Sequence, residues 1–299
     1  MINSRKIKVR TRRIRRSKTF NSSVLDSRNQ KLCEEFGITE PITADELINF
    51  KGEKLKYSRG PNAKIDCDSI SLLSGHSCPF AKDCLSKVDL VRWATDGKRR
   101  IVDGDVMRHR CFSASAEATY PETFLQRKHN LETLRACKTS REMLILLILS
   151  IPDRPGHPLP GDEFRIHVGG DFFNRMYFLA WCAMATLHPH RTFYAYTKSL
   201  IFWTPIRKKI PENLSLTASR GGTHDHLIDE YRLKEAVVVF SVEEAENLGL
   251  QIDHDDSHAL LNDNSSFALL IHGQQAKNSE ASRAIKKLKE DGVKYSYSR

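Results

Sequence analysis

The sequence predicts an α/β protein: a partial TIM-like (β/α)6 barrel behind a basic N-terminal extension. Three observations lead there. Six short β-branched or aromatic runs alternate with stretches of helical periodicity, the pattern of parallel strands joined by right-handed crossovers. The runs end in "SGHSC", "VGGD", "YTKS", "ASRGG", "FSVEE" and "IHGQ", so polar groups are spread over nearly every strand end. A barrel builds its site that way, whereas a doubly wound sheet concentrates it at one switch point. No G-x-G-x-x-G or Walker A motif occurs, which removes support for the usual dinucleotide and P-loop readings.

The strands read from the sequence are 69–74, 164–170, 192–198, 214–220, 236–241 and 267–273. Between them, Thr139 with Glu142 and Ser241 with Glu244 have capping-box spacing, and each opens a helix. "NRMYFLAWCAMATL" puts Tyr177, Phe178, Trp181, Met184 and Ala185 on one helical face, and "SEASRAIKKLKEDG" stops at Gly292. "ATYPETFLQRKHNLETL" reads as the first crossover helix, and "TADELINF" as a short helix opened by Thr43 or Asp45. The domain plan is a basic tail at 1–25, a polar lead-in at 26–57, and the barrel at 58–299 with an insertion at 85–110. The Asp-Gly and Gly-Asp pairs at 96 and 104 read the insertion as a small hairpin.

Of the formal charge of +10, nine units sit on Lys and Arg among the first twenty residues, which contain no acidic residue. The body is near neutral, so any nucleic-acid contact is expected from the tail, through phosphates. A solvated tail fits the same residues. No apolar segment of signal-peptide type follows the charges, and the longest apolar run, 143–151, is about half a bilayer span. The chain is expected to be cytoplasmic, with no membrane partner. Seven scattered cysteines, an odd number, argue for a reducing compartment rather than a disulfide framework. Cys33, Cys137 and Cys182 read as ordinary thiols in helical stretches.

Cys78 and Cys84 follow the first strand, and Cys111 precedes the first crossover helix, so all three belong to one strand-to-helix connection. Three thiolates can hold a [4Fe-4S] cluster with one iron open, or join His76 in a Cys₃His zinc site. Cys67 is another candidate ligand, placed before the strand and expected at its opposite end. Gly169 and Gly170 allow a ligand to approach backbone, with Asp171 supplying a carboxylate. Lys198, Arg220 and Ser241 stand at successive strand ends, where each also reads as a solvated charge or a helix cap. "DHDDSHA" at 253–259 offers oxygen-rich metal ligands, but without an alternation to aim them it reads as a polar loop. The aromatics of "FYAYTKSLIFW" suit base stacking but fit better as core.

"SLLSGHSCPFAKDC", "CFSASAEATYPETFLQRKHNLETL", "FRIHVGGDFFNRMYFLAW" and "TFYAYTKS" together resemble the bacteriophage family labelled gene product 88, from about residue 58 to the C-terminus. Cys-Phe-Ser stands here where that family has Cys-Tyr-Ala, and the insertion before Cys111 is long. The family layout in turn resembles the radical-SAM partial barrel. That resemblance implies a [4Fe-4S] cluster on Cys78, Cys84 and Cys111, with S-adenosylmethionine at Gly169, Gly170, Asp171, Arg220 and Ser241. Asp171 would hold the cofactor's amine, Arg220 a carboxylate and Lys198 a phosphate or second carboxylate, in an enzyme acting on an unknown substrate. The competing expectation is a zinc-stabilised nucleic-acid-binding or nuclease-like protein.

Overall fold

A computed structural model describes residues 33–60, 67–151, 162–261 and 265–293. The basic tail at 1–25 lies outside the described residues. The lead-in does not stand apart from the domain: Cys33, Phe36, Ile38, Ile42, Leu47 and Leu55 are buried in the same core as the first crossover helices. Its helix α1 (Ala44–Asn49) is capped by Thr43, whose hydroxyl accepts the Glu46 N–H at 3.2 Å.

Among the described residues, the main sheet has eight strands. In chain order these are β1 (Tyr57–Ser58), β2 (Asp68–Ile70), β5 (Glu163–Ile166), β6 (Thr192–Thr197), β7 (Leu214–Ser219), β8 (Glu235–Val239), β9 (Gln251–Ile252) and β10 (Phe267–Leu270). Their spatial order is β1-β2-β5-β6-β7-β8-β10-β9. Every pairing is parallel except that of β1 with β2. All six strands read from the sequence are present. They stand side by side in chain order, so there is no point at which the strand order reverses. The hydrogen-bonded sheet is open, ending at β1 and β9.

Strand alternation sorts the two faces. Phe164, Ile166, Phe193, Ala195, Leu214, Leu216 and Ala218 join one core with α4 (Pro121–Ala136), α5 (Ser140–Ser150) and α6 (Arg175–Leu187). In α6 burial goes well beyond the predicted stripe: Leu179, Ala180, Cys182 and Ala183 are buried too. Both faces of this helix are covered, which explains a run with almost no polar interruption. The Thr139 hydroxyl accepts the Glu142 N–H at 3.1 Å, while the Glu142 carboxylate takes the Lys138 N–H at 2.7 Å, one residue before the position a capping box predicts.

The opposite face carries Tyr194, Ala236 and Phe267, covered at the strands' N-terminal side by α10 (Ser257–Leu260) through Ala259. Beyond β8, Ser241 opens α9 (Val242–Asn247) by accepting the Glu244 N–H at 3.0 Å. The last helix is α11 (Glu280–Glu290), and Gly292 follows it at φ +67°.

The insertion corrects the sequence reading. Its strands β3 (Ser86–Val88) and β4 (Ile101–Asp103) do pair antiparallel, but the connection between them is a helix, α2 (Leu90–Asp96). Asp89 caps that helix by accepting the Val91 and Arg92 N–H groups, both at 3.1 Å. Gly97, at φ +70°, ends it in the left-handed conformation that glycine adopts without a Cβ clash. Asp96–Gly97 is therefore a helix terminus rather than a hairpin turn. A second helix unseen in the sequence, α3 (Phe112–Thr119), begins immediately after Cys111.

Candidate functional site

At the C-terminal ends of the parallel strands lies a cavity of about 180 Å³, far more than the roughly 10–15 Å³ that holds one water. Cys78, Cys84 and Cys111 all line it. The first two arrive on the loop after β2. Cys111 is returned by the insertion: Gly104 donates to the Leu85 carbonyl at 2.7 Å, and the Arg108 and His109 N–H groups reach the Asp83 carbonyl at 2.7 and 3.0 Å. Finally, the Cys111 N–H donates to Ser86 Oγ at 2.9 Å. The hairpin thus sets Cys111 beside Cys84.

The cysteine loop is docked in turn on the end of β7. Lys82 and Asp83 donate to the Gly221 carbonyl at 3.1 and 2.9 Å, and Thr223 donates to the Phe80 carbonyl at 3.0 Å. Gly221 sits at φ +99°, where a Cβ would also press on Asp83. On the far side, Gln275 accepts the Arg110 N–H at 2.7 Å and returns a bond to its carbonyl at 3.1 Å. The connection after β2 therefore meets the connection after β10 above the open sheet.

Burial raises the Cys78 thiol well above its ordinary pKa, reinforced by the negative charge of Asp171 and by Cys111 and Cys84. Burial pushes Cys111 up to about 11, with Cys84 again adding to the effect. The three sulfurs are thus electrostatic neighbours. Among the described residues, no group of three or more His, Cys, Asp or Glu side chains is arranged to hold a metal ion. His76 is turned away, its Nε2 2.8 Å from the Val88 carbonyl. Cys67 packs at the opposite end, its sulfur 3.6 Å from the Tyr194 hydroxyl.

Gly169, Gly170, Asp171 and Lys198 line the same cavity. A Cβ on Gly169 would strike Ser113 and the Arg127 guanidinium, and one on Gly170 would meet Ser77 and Leu72. These glycines therefore let the β5 loop pack against α3 and the cysteine loop. Asp171 is buried and accepts from Thr197 Oγ1 at 2.6 Å, Phe172 N at 2.7 Å and Lys198 N at 2.8 Å. Burial lifts its pKa to about 6 against those three bonds. The Lys198 ammonium donates to Ser219 O at 2.8 Å, Ser219 Oγ at 2.9 Å and Arg220 O at 2.7 Å.

Arg220 and Ser241 are placed elsewhere. The Arg220 guanidinium pairs with Glu235 and, at 2.7 Å, with Asp229, because its side chain leaves the strand end on the side of α8 (His226–Tyr231). Ser241 is occupied as the cap of α9.

The sequence reading missed Arg165, Tyr196, His109 and His272, all of which line the cavity. Arg165 and Tyr196 point to the cavity face through strand alternation, a signal available in "FRIHV" and "FYAYT". Beneath them lies Asp256, buried and held at φ +66°. It binds Arg165 and accepts from the Tyr194 and Tyr196 hydroxyls, each at 3.1 Å. The stretch read as a polar loop therefore supplies the floor of the cavity. His109 Nδ1 is buried with no hydrogen-bond partner among the described residues.

The family model described as Gene product 88 matches residues 28–288, and the chain belongs to that bacteriophage family. No curated protein and no solved structure matches it. Among the described residues, no helix is long and apolar enough to cross a membrane.

Proposed function

We propose that this protein is an iron–sulfur enzyme in which Cys78, Cys84 and Cys111 hold a [4Fe-4S] cluster, with S-adenosylmethionine bound beside it. The observation that carries this reading is the convergence of three thiols from two distant segments on one cavity at the strand ends. Three cysteine thiolates are the kind of donor set that a four-iron cluster takes, one on each of three irons. With His76 bonded to Val88, a Cys₃His zinc site lacks its fourth ligand. Thiols held protonated by burial exchange their protons for metal on loading.

The accompanying fold reading is a partial (β/α)6 barrel. It is supported by six parallel strands in chain order, by helices packed on one face, and by the contact between the first and last strand-end loops.

When bound, the cluster and cofactor supply one-electron radical chemistry. The chain's own residues do the rest. Asp171 has three of its roughly four acceptor positions filled and keeps one, on Oδ2, for an ammonium donor. Val168, Val238 and Leu269 line the cavity and exclude water.

The test is metal analysis of anaerobically purified full-length protein. Iron with acid-labile sulfide is expected, and it should be lost in Cys78→Ala, Cys84→Ala and Cys111→Ala but kept in Cys137→Ala and Cys182→Ala. Zinc without sulfide would overturn the assignment and favour the nucleic-acid-binding alternative. In that case, deleting residues 1–20 should flatten the salt dependence of duplex binding by about 0.9 log units per lost phosphate contact.

A further inference from the structure

Besides the thiols and the β5 loop, the cavity is lined by Val238 from β8, by Leu269 from β10, and by Ile271 and His272 just beyond it, with His109 on the returning arm of the insertion. Val238 and Leu269 are only partly buried although they belong to core strands, so the apolar surface they leave open faces the cavity.

The polar groups of this region are biased toward donation. Asp256 already accepts from Arg165 and two tyrosines. His109 Nδ1, by contrast, is a buried atom with no hydrogen-bond partner among the described residues. The titratable groups acting on the His109 ring are Lys198, Arg108 and His272. Among the described residues the Lys198 ammonium bonds to uncharged oxygens, with the Asp171 carboxylate near enough to feel its charge, whereas Arg108 pairs with Glu244 at 3.1 Å and lies 4.6 Å from the centre of the Phe240 ring.

We propose that this part of the cavity is a substrate subsite for a small molecule with an apolar body and one anionic oxygen group, a carboxylate or a phosphate. The apolar body lies against Val238, Leu269 and Ile271, and the anionic oxygen accepts a hydrogen bond from His109 in the positive field of Lys198. The inference names the substrate class for the enzyme proposed above and rests on that reading for the chemistry, although the subsite itself needs no cluster.

Three probes sharing one chain test it by calorimetry on full-length protein: hexanoate, hexyl phosphate and hexanol. Saturable binding of hexanoate or hexyl phosphate is expected, with hexanol at least about tenfold weaker, the equivalent of one hydrogen bond to a charged group. Whichever anion binds more tightly identifies the headgroup. His109→Ala should weaken the anion by a similar factor, and His109→Gln, which keeps a donor, should recover part of it. Val238→Glu, on the apolar wall, should abolish anion binding by repulsion. Equal binding of hexanol, an unchanged affinity in His109→Ala, or no binding of any probe would each overturn the proposal. Iron is measured in the same samples. Loss of iron in His109→Ala would make that residue a cluster ligand and overturn its role here, whereas anion binding to iron-free protein would keep the subsite and sink only the cluster.

Discussion

The backbone N–H of Lys198 donates to Asp171 Oδ2 at 2.8 Å, while the ammonium of the same lysine holds the Ser219 and Arg220 carbonyls. Two residues read from the sequence as ligand-binding groups are thus also the clasp joining the ends of β5, β6 and β7 under the cysteine loop. Lys198→Met would remove the lysine's bonds to two half-buried carbonyls, each loss costing up to about 1–3 kcal/mol. Urea unfolding of this variant should show a loss of that order, and a wild-type midpoint would mean that the clasp is not structural.

Gly169→Ala should damage the site through packing. The new Cβ runs into Ser113 and comes 2.7 Å from the Arg127 guanidinium, which is itself paired with the fully buried Glu117 at 2.8 Å. Overpacking of this kind costs about 1–3 kcal/mol. Gly249→Ala is the comparison, since its Cβ meets nothing within 4 Å and only the φ of +67° opposes it. Thermal melts should rank Gly169→Ala below Gly249→Ala.

Asp256→Asn should be the most damaging polar change in the floor. It leaves the buried Arg165 guanidinium without its carboxylate, and breaking such a pair from one side costs about 3–5 kcal/mol. Tyr196→Phe removes one donor to the same carboxylate and should cost about 1 kcal/mol. If the two variants unfold at the same urea concentration, the ion pair does not hold the floor.

The His167 ring is buried, Nε2 standing 3.1 Å from the Tyr177 hydroxyl, and burial lowers its pKa from 6.5 to about 3, with Arg165 adding to the effect. The folded state therefore binds fewer protons than the unfolded chain between pH 6.5 and about 3. Stability must fall as pH drops through that window, by at most about 1.4 kcal/mol per unit from this residue. His167→Asn suits the φ of +65° and removes the titration. The difference in unfolding free energy between wild type and His167→Asn should shift against wild type between pH 7 and pH 5, and a constant difference would rule out the buried neutral imidazole.

What the sequence determined by itself is the part of the structure governed by neighbours along the chain. All six parallel strands, the helices opened by Thr139 and Ser241, and the stop at Gly292 follow from side-chain alternation, capping and left-handed glycine, interactions that span only a few residues. Tertiary structure decided which of those residues meet. Cys111 reaches Cys84 only because the insertion returns through Gly104, Arg108 and His109, and nothing in the spacing of "RHRC" encodes that path. Arg220 was legible as a strand-end cation, but Glu235 and Asp229 capture it, and both partners come from elements whose packing sets the direction of its side chain. Asp256 belongs to a run with no alternation, so its turn inward to Arg165 was invisible until α10 docked on the sheet. Periodicity and caps are local in sequence, whereas the site depends on side-chain direction and on the return of distant segments, which only the packed fold sets.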